Sequence, residues 1–171
     1  LLLYGCSLTY GFSESTNFNQ ILINSTEFNY GTTFGIVFIL VGLAFKISAV
    51  PFHMWAPDVY QGSPTSVTLF FAILPKIAAL SVFIKFLYTP FANMNDQWQT
   101  IIVFISIASM IFGAVAAIGQ KNLKRLIAYS SISHMGYALA GLSTVSNQGI
   151  QSSITYISVS YTHLTLPTMY T

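Results

Sequence analysis

Charged residues are scarce in this 171-residue chain. Lys, Arg, Asp and Glu make up 6% of the sequence, whereas hydrophobic residues make up 54%. Soluble domains carry about a quarter charged residues, so this chain has too few charges to cover a water-exposed surface. The formal net charge of +2 is also too small to indicate a nucleic-acid partner. The composition therefore predicts a polytopic membrane protein.

Cysteine and the common cofactor motifs are nearly absent from the sequence. Cys6 is the only cysteine, which excludes an internal disulfide and a CxxC metal site. The sequence has no Gly-rich phosphate loop, no cluster of metal ligands and no Ser-His-Asp pattern. We therefore expect this chain to bind no cofactor or metal and to contain no redox centre.

Five apolar runs follow one another, separated by short polar stretches. They are Leu1–Phe12, Thr32–Phe52, Ser66–Tyr88, Trp98–Gly119 and Leu126–Val145. The first is interpreted as a span entered part-way, so we expect a fragment of about five spans. Each of the others has the roughly 20 residues that a helix needs to cross a bilayer. Because backbone groups in lipid must be satisfied within their own segment, the runs predict an all-α bundle. We assign residues 1–158 to this membrane domain. Residues 159–171 lose the apolar character, and we expect them to be a tail that is foreign to the preceding sequence.

The polar connections predict the orientation of the bundle. Lys121, Lys124 and Arg125 all lie in the connection between the fourth and fifth runs. By the positive-inside rule, this Lys121–Arg125 loop is expected on the cytoplasmic or matrix side of the membrane. Aromatic residues at the ends of the runs are interpreted as a belt at the membrane surface. They are Trp55, Tyr60, Tyr88 and Trp98.

Two lysines, Lys46 and Lys76, interrupt the apolar runs. With a rise of about 1.5 Å per residue, Lys76 is predicted roughly 15 Å and Lys46 roughly 10 Å from the same membrane face. A central lysine costs about 2.5–3.5 kcal/mol, so intramembrane lysines usually have a function. Burial disfavours the ammonium form, so such an amine can exchange its proton near neutral pH. A structural alternative stays open, in which both lysines pair with carboxylates outside the chain, because no run contains Asp or Glu.

A proline lies close to each of these lysines. Pro51 and Pro75 cannot donate backbone hydrogen bonds, so the carbonyl groups of Ile47 and Phe71 are freed. At membrane depth such groups persist only where protein or water satisfies them. Discontinuous helices recur in ion-translocating membrane proteins. Both prolines are therefore predicted to be helix breaks beside a hydrated site.

The fifth run carries a polar stripe. Ser130, His134, Tyr137 and Gly141 recur at three- and four-residue spacing and share one helix face. His134 is a candidate proton relay because its unperturbed pKa lies near 6.5. A hydrogen-bonded packing histidine is the alternative.

Three stretches carry a resemblance to a known family. They are LLLYGCSLTYGF (Leu1–Phe12), FKISAVPFHMWAPDVYQGSPTSVTLFFAILPKIA (Phe45–Ala78) and KNLKRLIAYSSISHMGYAL (Lys121–Leu139). They closely resemble the family of respiratory complex I subunit 2, called subunit N in bacteria. The Pro-Phe-His-x-Trp-x-Pro-Asp-Val-Tyr-x-Gly run, Pro51–Gly62, is specific for this subunit among its antiporter-like relatives.

The resemblance implies an antiporter-like bundle with discontinuous helices that acts as a proton-translocating membrane-arm subunit of NADH:ubiquinone oxidoreductase. It implies that Lys46 and Lys76 relay protons, with a glutamate and a further charged residue lying outside this chain. NADH, FMN, iron–sulfur clusters and quinone would be bound by other subunits. The implied partners are the other membrane-arm subunits and membrane lipids. The implied location is the mitochondrial inner membrane or the bacterial plasma membrane.

Two other functions stay open. One is an Mrp-type cation/proton antiporter subunit, and the other is a structural membrane subunit that transports nothing. The Pro51–Gly62 run favours the oxidoreductase subunit over the antiporter.

Overall fold

The structure, a computed structural model, describes residues 1–24 and 29–168, with side chains as far as residue 160. Within these ranges the chain forms helices joined by turns and contains no strand. The helices are α1 Leu2–Ser13, α2 Phe18–Asn24, α3 Tyr30–Lys46, α4 Trp55–Gly62, α5 Thr65–Tyr88, α6 Asn95–Ile118, α7 Leu123–Leu142 and α8 Asn147–Thr168. A 3₁₀ turn, Ala92–Met94, precedes α6. The predicted all-α class is confirmed.

Two stretches of the described chain are long and apolar enough to cross a membrane by length and composition. They are α5, with 24 residues, and the 27-residue stretch Ala92–Ile118, which contains α6. α3 is apolar but has 17 residues. α7 has 20 residues and begins with a basic first turn followed by several serines. The five predicted runs therefore differ in quality, because helices inside a bundle can carry polar residues that face protein instead of lipid.

α3 ends at Lys46, earlier than the predicted run. Ser48 follows in the left-handed region, with φ 61°. The amide of Ala49 donates to the carbonyl of Ala44 at 2.9 Å, and the amide of Ser48 donates to that of Phe45 at 3.2 Å. This pair of bonds is a Schellman motif, in which the left-handed position, here Ser48, is usually a glycine. Because a serine takes the glycine position, the sequence pattern did not reveal the helix end.

Residues 47–54 are non-helical and separate α3 from α4. The amide of Val50 donates to Ser109 Oγ of α6 at 2.9 Å. Trp55 Nε1 donates to the carbonyl of Phe45 at 2.9 Å. A discontinuity therefore surrounds Pro51, and α6 and the first residue of α4 each contribute one hydrogen bond to its backbone or to the end of α3.

α5 runs through Pro75 without a break. This corrects the prediction that Pro75 ends a helix segment. A proline removes one backbone hydrogen bond, and a helix survives the loss where another group satisfies the freed carbonyl. That group is Tyr60 of α4, whose hydroxyl donates to the carbonyl of Phe71 at 3.4 Å.

Small residues bring the helices into close contact. A side chain at Gly113 of α6 would lie 2.7 Å from the amide nitrogen of Ser133 in α7. Ser106 Oγ of α6 donates to the carbonyl of Gly136 in α7 at 2.8 Å. Such crossings, in which glycine allows backbones to approach, are typical of membrane helices.

The main core lies between α3, α5, α6 and α7. Trp98 is fully buried there and donates from Nε1 to the carbonyl of Phe91 at 3.0 Å. Tyr60 is also fully buried. This corrects the interpretation of these two residues as part of an aromatic belt. An amphipathic ring at the end of a run has the same sequence signature whether its polar atom bonds water or a buried carbonyl.

The predicted division at residue 158 falls inside α8, which continues to Thr168. Residues 169–171 lie outside the described residues. The division into a domain and a separate tail stays a prediction.

Candidate functional site

The amine of Lys76 lies in the protein interior. Lys76 is 1% exposed, and its Nζ donates to Ser131 Oγ of α7 at 2.7 Å. The Ser131 hydroxyl in turn donates to the carbonyl of Ala128 at 2.9 Å. Among the described residues no carboxylate lies within ion-pair distance of this amine. Lys76 is thus a buried base whose nearest hydrogen-bond partner is neutral.

An aromatic ring supplies a second contact to this amine. Lys76 Nζ lies 5.6 Å from the centre of the Tyr60 ring. A cation at this distance from a ring face is attracted by its quadrupole, by about 2 kcal/mol where both groups are desolvated. The ring therefore partly offsets the burial of an ammonium group at this position.

Pro75 helps to place the Tyr60 ring beside Lys76, the next residue in the sequence. Because Pro75 has no N–H, the carbonyl of Phe71 lacks its helical donor. The Tyr60 hydroxyl donates to that carbonyl, which holds the Tyr60 ring beside α5. The proline thus creates the acceptor that anchors the aromatic neighbour of Lys76.

The loop cations fasten α4 to α7. Arg125 Nη2 lies 3.2 Å from Asp58 Oδ1, and Arg125 Nη1 donates to Gln61 Oε1 at 3.2 Å. Lys124 Nζ donates to the carbonyl of Ser63, at the end of α4, at 2.7 Å. Asp58 is 74% exposed, so the ion pair alone contributes about 0–1 kcal/mol. These contacts hold the helix that carries Tyr60.

Lys46 lies in a different environment. It is exposed at the end of α3 and lines an apolar groove of about 540 Å³. The groove is also lined by Leu1, Leu2, Val41, Gly42, Leu43, Phe45, Phe52, Ala78, Ala79 and Val82. Lys76 does not line it, so the structure does not bring the two predicted amines into one cavity. As a cation in the last turn of α3, Lys46 is also favoured by the helix dipole.

His134 is half-buried on α7, and its Nδ1 lies 2.7 Å from the hydroxyl of Tyr156 in α8. Together with Ser130, it lines a cavity of about 350 Å³ between α6 and α7. His134 therefore has one hydrogen-bonded neighbour and a cavity beside it, an arrangement that a relay and a packing residue share.

The predicted polar stripe on α7 is not the face that meets Lys76. Tyr137, a member of that stripe, is 51% exposed. The interior face carries Ser131, Met135 and Ala138, each at most 2% exposed. Sequence reasoning missed Ser131 because it chose the neighbouring stripe. The signal that marks the buried face is the helical spacing of Ser131 with apolar residues on both sides.

Two buried polar atoms mark the segment between α3 and α4. Ser48 Oγ and His53 Nδ1 have no hydrogen-bond partner among the described residues. The His53 ring packs against Phe112 with 4.5 Å between ring centres. Buried polar groups of this kind are normally satisfied by water or by further protein.

A family model described as NADH:quinone oxidoreductase/Mrp antiporter, transmembrane, matches residues 1–168. The chain belongs to this family. The match confirms the predicted antiporter-like helix bundle and the multi-pass membrane class.

Curated relatives are similar over most of this chain. The chain is 80% identical over 161 residues to the NADH-quinone oxidoreductase subunit N of Pelagibacter ubique, which covers 93% of this chain and 34% of the relative. It is 56% identical to subunit N of Parvibaculum lavamentivorans, in an alignment that covers 92% of this chain and 33% of the relative. The chain therefore spans about a third of the length of the curated relatives it matches.

Solved membrane complexes contain the same fold. A chain of respiratory complex I from Thermus thermophilus, 33% identical, superposes with a TM-score of 0.76 over 98% of this chain and 36% of that chain. A chain of an archaeal membrane-bound sulfane sulfur reductase, 27% identical, gives a TM-score of 0.83 over 98% and 34%. The Mrp complex of Dietzia sp. DQ12-45-1b, at 24% identity and a TM-score of 0.81 over 91% and 29%, shares the fold.

Proposed function

We propose that this chain is part of a proton-translocating membrane-arm subunit of an NADH:quinone oxidoreductase, and that Lys76 carries the proton. The relatives named subunit N support the assignment to this complex. The observation that carries the role of Lys76 is its fully buried amine, which is bonded to a hydroxyl and has no described carboxylate beside it.

Ser131 can hydrogen-bond the Lys76 amine in both of its protonation states. A protonated Nζ donates to Ser131 Oγ, whose own hydrogen is directed to the carbonyl of Ala128. A neutral Nζ has a lone pair, and rotation of the Ser131 hydroxyl turns its hydrogen towards that lone pair. Both states of Lys76 are therefore hydrogen-bonded, which a proton carrier needs at every turnover.

Lys46 and His134 are proposed as neighbours of Lys76 in the relay. Lys46 lies beside the discontinuity around Pro51, where Ser48 and His53 offer buried polar atoms to water. A carboxylate outside residues 1–171 is proposed to face the Lys46 groove. His134, which lines the cavity between α6 and α7, is proposed to accept the proton onward.

The remaining chemistry is assigned to other subunits of the complex. NADH, FMN, iron–sulfur clusters and quinone are proposed to bind there, so this subunit takes part in H⁺-translocating NADH:ubiquinone reductase activity without a redox centre of its own. Among the described residues there is no group of three potential metal ligands. The relatives named above are bacterial, which favours the plasma membrane over the mitochondrial inner membrane, with the Lys121–Arg125 loop inside.

An Mrp-type antiporter subunit is the second candidate, because the family description includes both groups and the Mrp complex shares the fold. Purification of the native subunit separates the two. Recovery with quinone- and NADH-handling subunits supports the oxidoreductase, whereas recovery with cation antiporter subunits alone supports the antiporter.

The proposal is tested with Lys76→Met in the full-length subunit of the assembled complex. Methionine keeps the size of the side chain and removes its proton, so we expect NADH-driven proton uptake into inverted vesicles to fall at least tenfold. The matched control is Lys85→Met, which removes an exposed lysine from the same helix and should leave uptake near wild type. Full proton uptake in an assembled Lys76→Met complex would support the structural membrane subunit instead.

A further inference from the structure

The proposed proton relay gives no role to Tyr60. It is fully buried, although it belongs to a short helix between two longer ones. Its ring faces the Lys76 amine at 5.6 Å, and its hydroxyl donates to the carbonyl of Phe71 at 3.4 Å. One side chain thus touches both the buried amine and the backbone defect that Pro75 creates.

The ring has a specific electrostatic task at this position. Ser131 gives the ammonium form one hydrogen bond, and among the described residues no carboxylate balances its charge. An aromatic face attracts a cation but has little attraction for a neutral amine. The Tyr60 ring therefore favours the loaded state of Lys76 over the empty one.

The rest of α4 holds the ring in place. The Arg125–Asp58 pair and the Lys124 bond to the Ser63 carbonyl fasten α4 to α7, the helix that also supplies Ser131. The hydroxyl bond fastens the ring itself to α5. The ring, the serine and the amine are thereby tied to one another through three helices.

We infer that Tyr60 is a positioning residue for Lys76, whose ring holds and stabilises the ammonium form during proton transfer. This inference rests on the proposed role of Lys76 as a proton carrier. The interaction depends on the electron density of the ring and not on its shape alone.

The test replaces Tyr60 by phenylalanine and by its mono-, di- and trifluorinated analogues in the full-length subunit of the assembled complex. Fluorine withdraws electron density from the ring face with little change in size, so it weakens the attraction for a cation stepwise. We expect proton uptake per NADH oxidised to fall in the same order, to roughly a tenth of the phenylalanine value with the trifluorinated ring. Equal uptake across the series would overturn the inference.

Two controls distinguish a failure of the inference about Tyr60 from a failure of the proposed role of Lys76. The same series at Phe83, a fully buried ring of α5, should leave uptake unchanged, and a parallel fall there would assign the effect to packing. If Lys76→Met leaves uptake intact, the proposed function fails whatever the series gives. If Lys76→Met abolishes uptake and the series is flat, the inference about Tyr60 alone fails. Should phenylalanine prevent assembly, fluorinated tyrosines restore the hydroxyl. Because fluorine makes that hydroxyl a stronger donor to the Phe71 carbonyl, a stepwise fall in uptake still reports the weakened ring face, and equal uptake overturns the inference.

Discussion

The surroundings of Lys46 and Lys76 differ in almost every respect. Lys76 is enclosed by α4, α5 and α7 and has a hydroxyl and an aromatic ring beside its amine. Lys46 is exposed at a helix end and lines an apolar groove. Both looked alike in sequence, as single cations inside apolar runs. The difference shows that one amine is enclosed by the described helices, whereas the other lies at the edge of an apolar groove.

Removal of the Ser131 hydroxyl should have the largest effect on this contrast. Ser131→Val leaves the Lys76 amine buried without its hydrogen-bond partner, which costs about 1.5–3 kcal/mol for a bond to a charged group. We expect the melting temperature of the assembled complex and its NADH-driven proton uptake both to fall. Ser130→Val is the matched control, because Ser130 faces the cavity between α6 and α7. Equal losses for the two variants would contradict a special role for Ser131.

Substitutions of Ser48, at the end of α3, should change the stability of the complex almost as strongly. Whether they stabilise or destabilise it should depend on how well the new residue adopts the left-handed conformation. Ser48→Val places a β-branched residue at φ 61° and should destabilise the complex by about 1–3 kcal/mol. Ser48→Gly should stabilise it, because glycine adopts this conformation without strain. Ser7→Gly in the interior of α1 is the control and should cost about 0.5 kcal/mol. Thermal denaturation of the three variants measures these signs, and a stabilising Val would refute the strained helix end.

Lys46→Met tests the second lysine and should cost less stability than the two changes above. Lys46 is exposed and gains mainly from the dipole of α3, so its loss should change stability by about 0.3–1 kcal/mol. Proton uptake should nevertheless fall if Lys46 belongs to the relay. Uptake at the wild-type level would show that Lys46 takes no part in proton transfer, and the proposed role of Lys76 would not change.

The loop contacts of α4 should give the smallest effect. Arg125→Ala breaks an ion pair with an exposed carboxylate, so we expect a loss of stability below about 1 kcal/mol that shrinks as salt is added. Lys121→Ala, which removes a neighbouring exposed cation, serves as the control. A large, salt-independent loss would show that the contact does more than fasten α4.

Several features could be predicted because they depend on residues close in sequence. The helical class and the long helices α5 and α6 follow from uninterrupted apolar runs. A non-helical segment near Pro51 could be expected from the missing amide of proline, although α3 itself ends earlier, at the Schellman motif around Ser48. The family was recognisable from the Pro51–Gly62 run, which lies in residues that the family model matches.

Other features could not be predicted because they depend on contacts between distant segments. Pro75 looked like a break, yet Tyr60 satisfies the carbonyl that it frees. Ser131, 55 residues after Lys76, could not be identified as its partner before α5 and α7 were placed side by side. The end of α3 was hidden because serine replaced the expected glycine.

The sequence by itself determined that the chain is a membrane helix bundle, where its long apolar helices lie and that two amines lie within apolar runs, since these depend on local composition and spacing. Only the tertiary structure decided that Lys76 is enclosed while Lys46 faces a groove, and that Tyr60 and Ser131 meet the buried amine. The reason is physical: helix formation in an apolar medium is satisfied within one segment, whereas the environment of a charge is set by every helix packed around it.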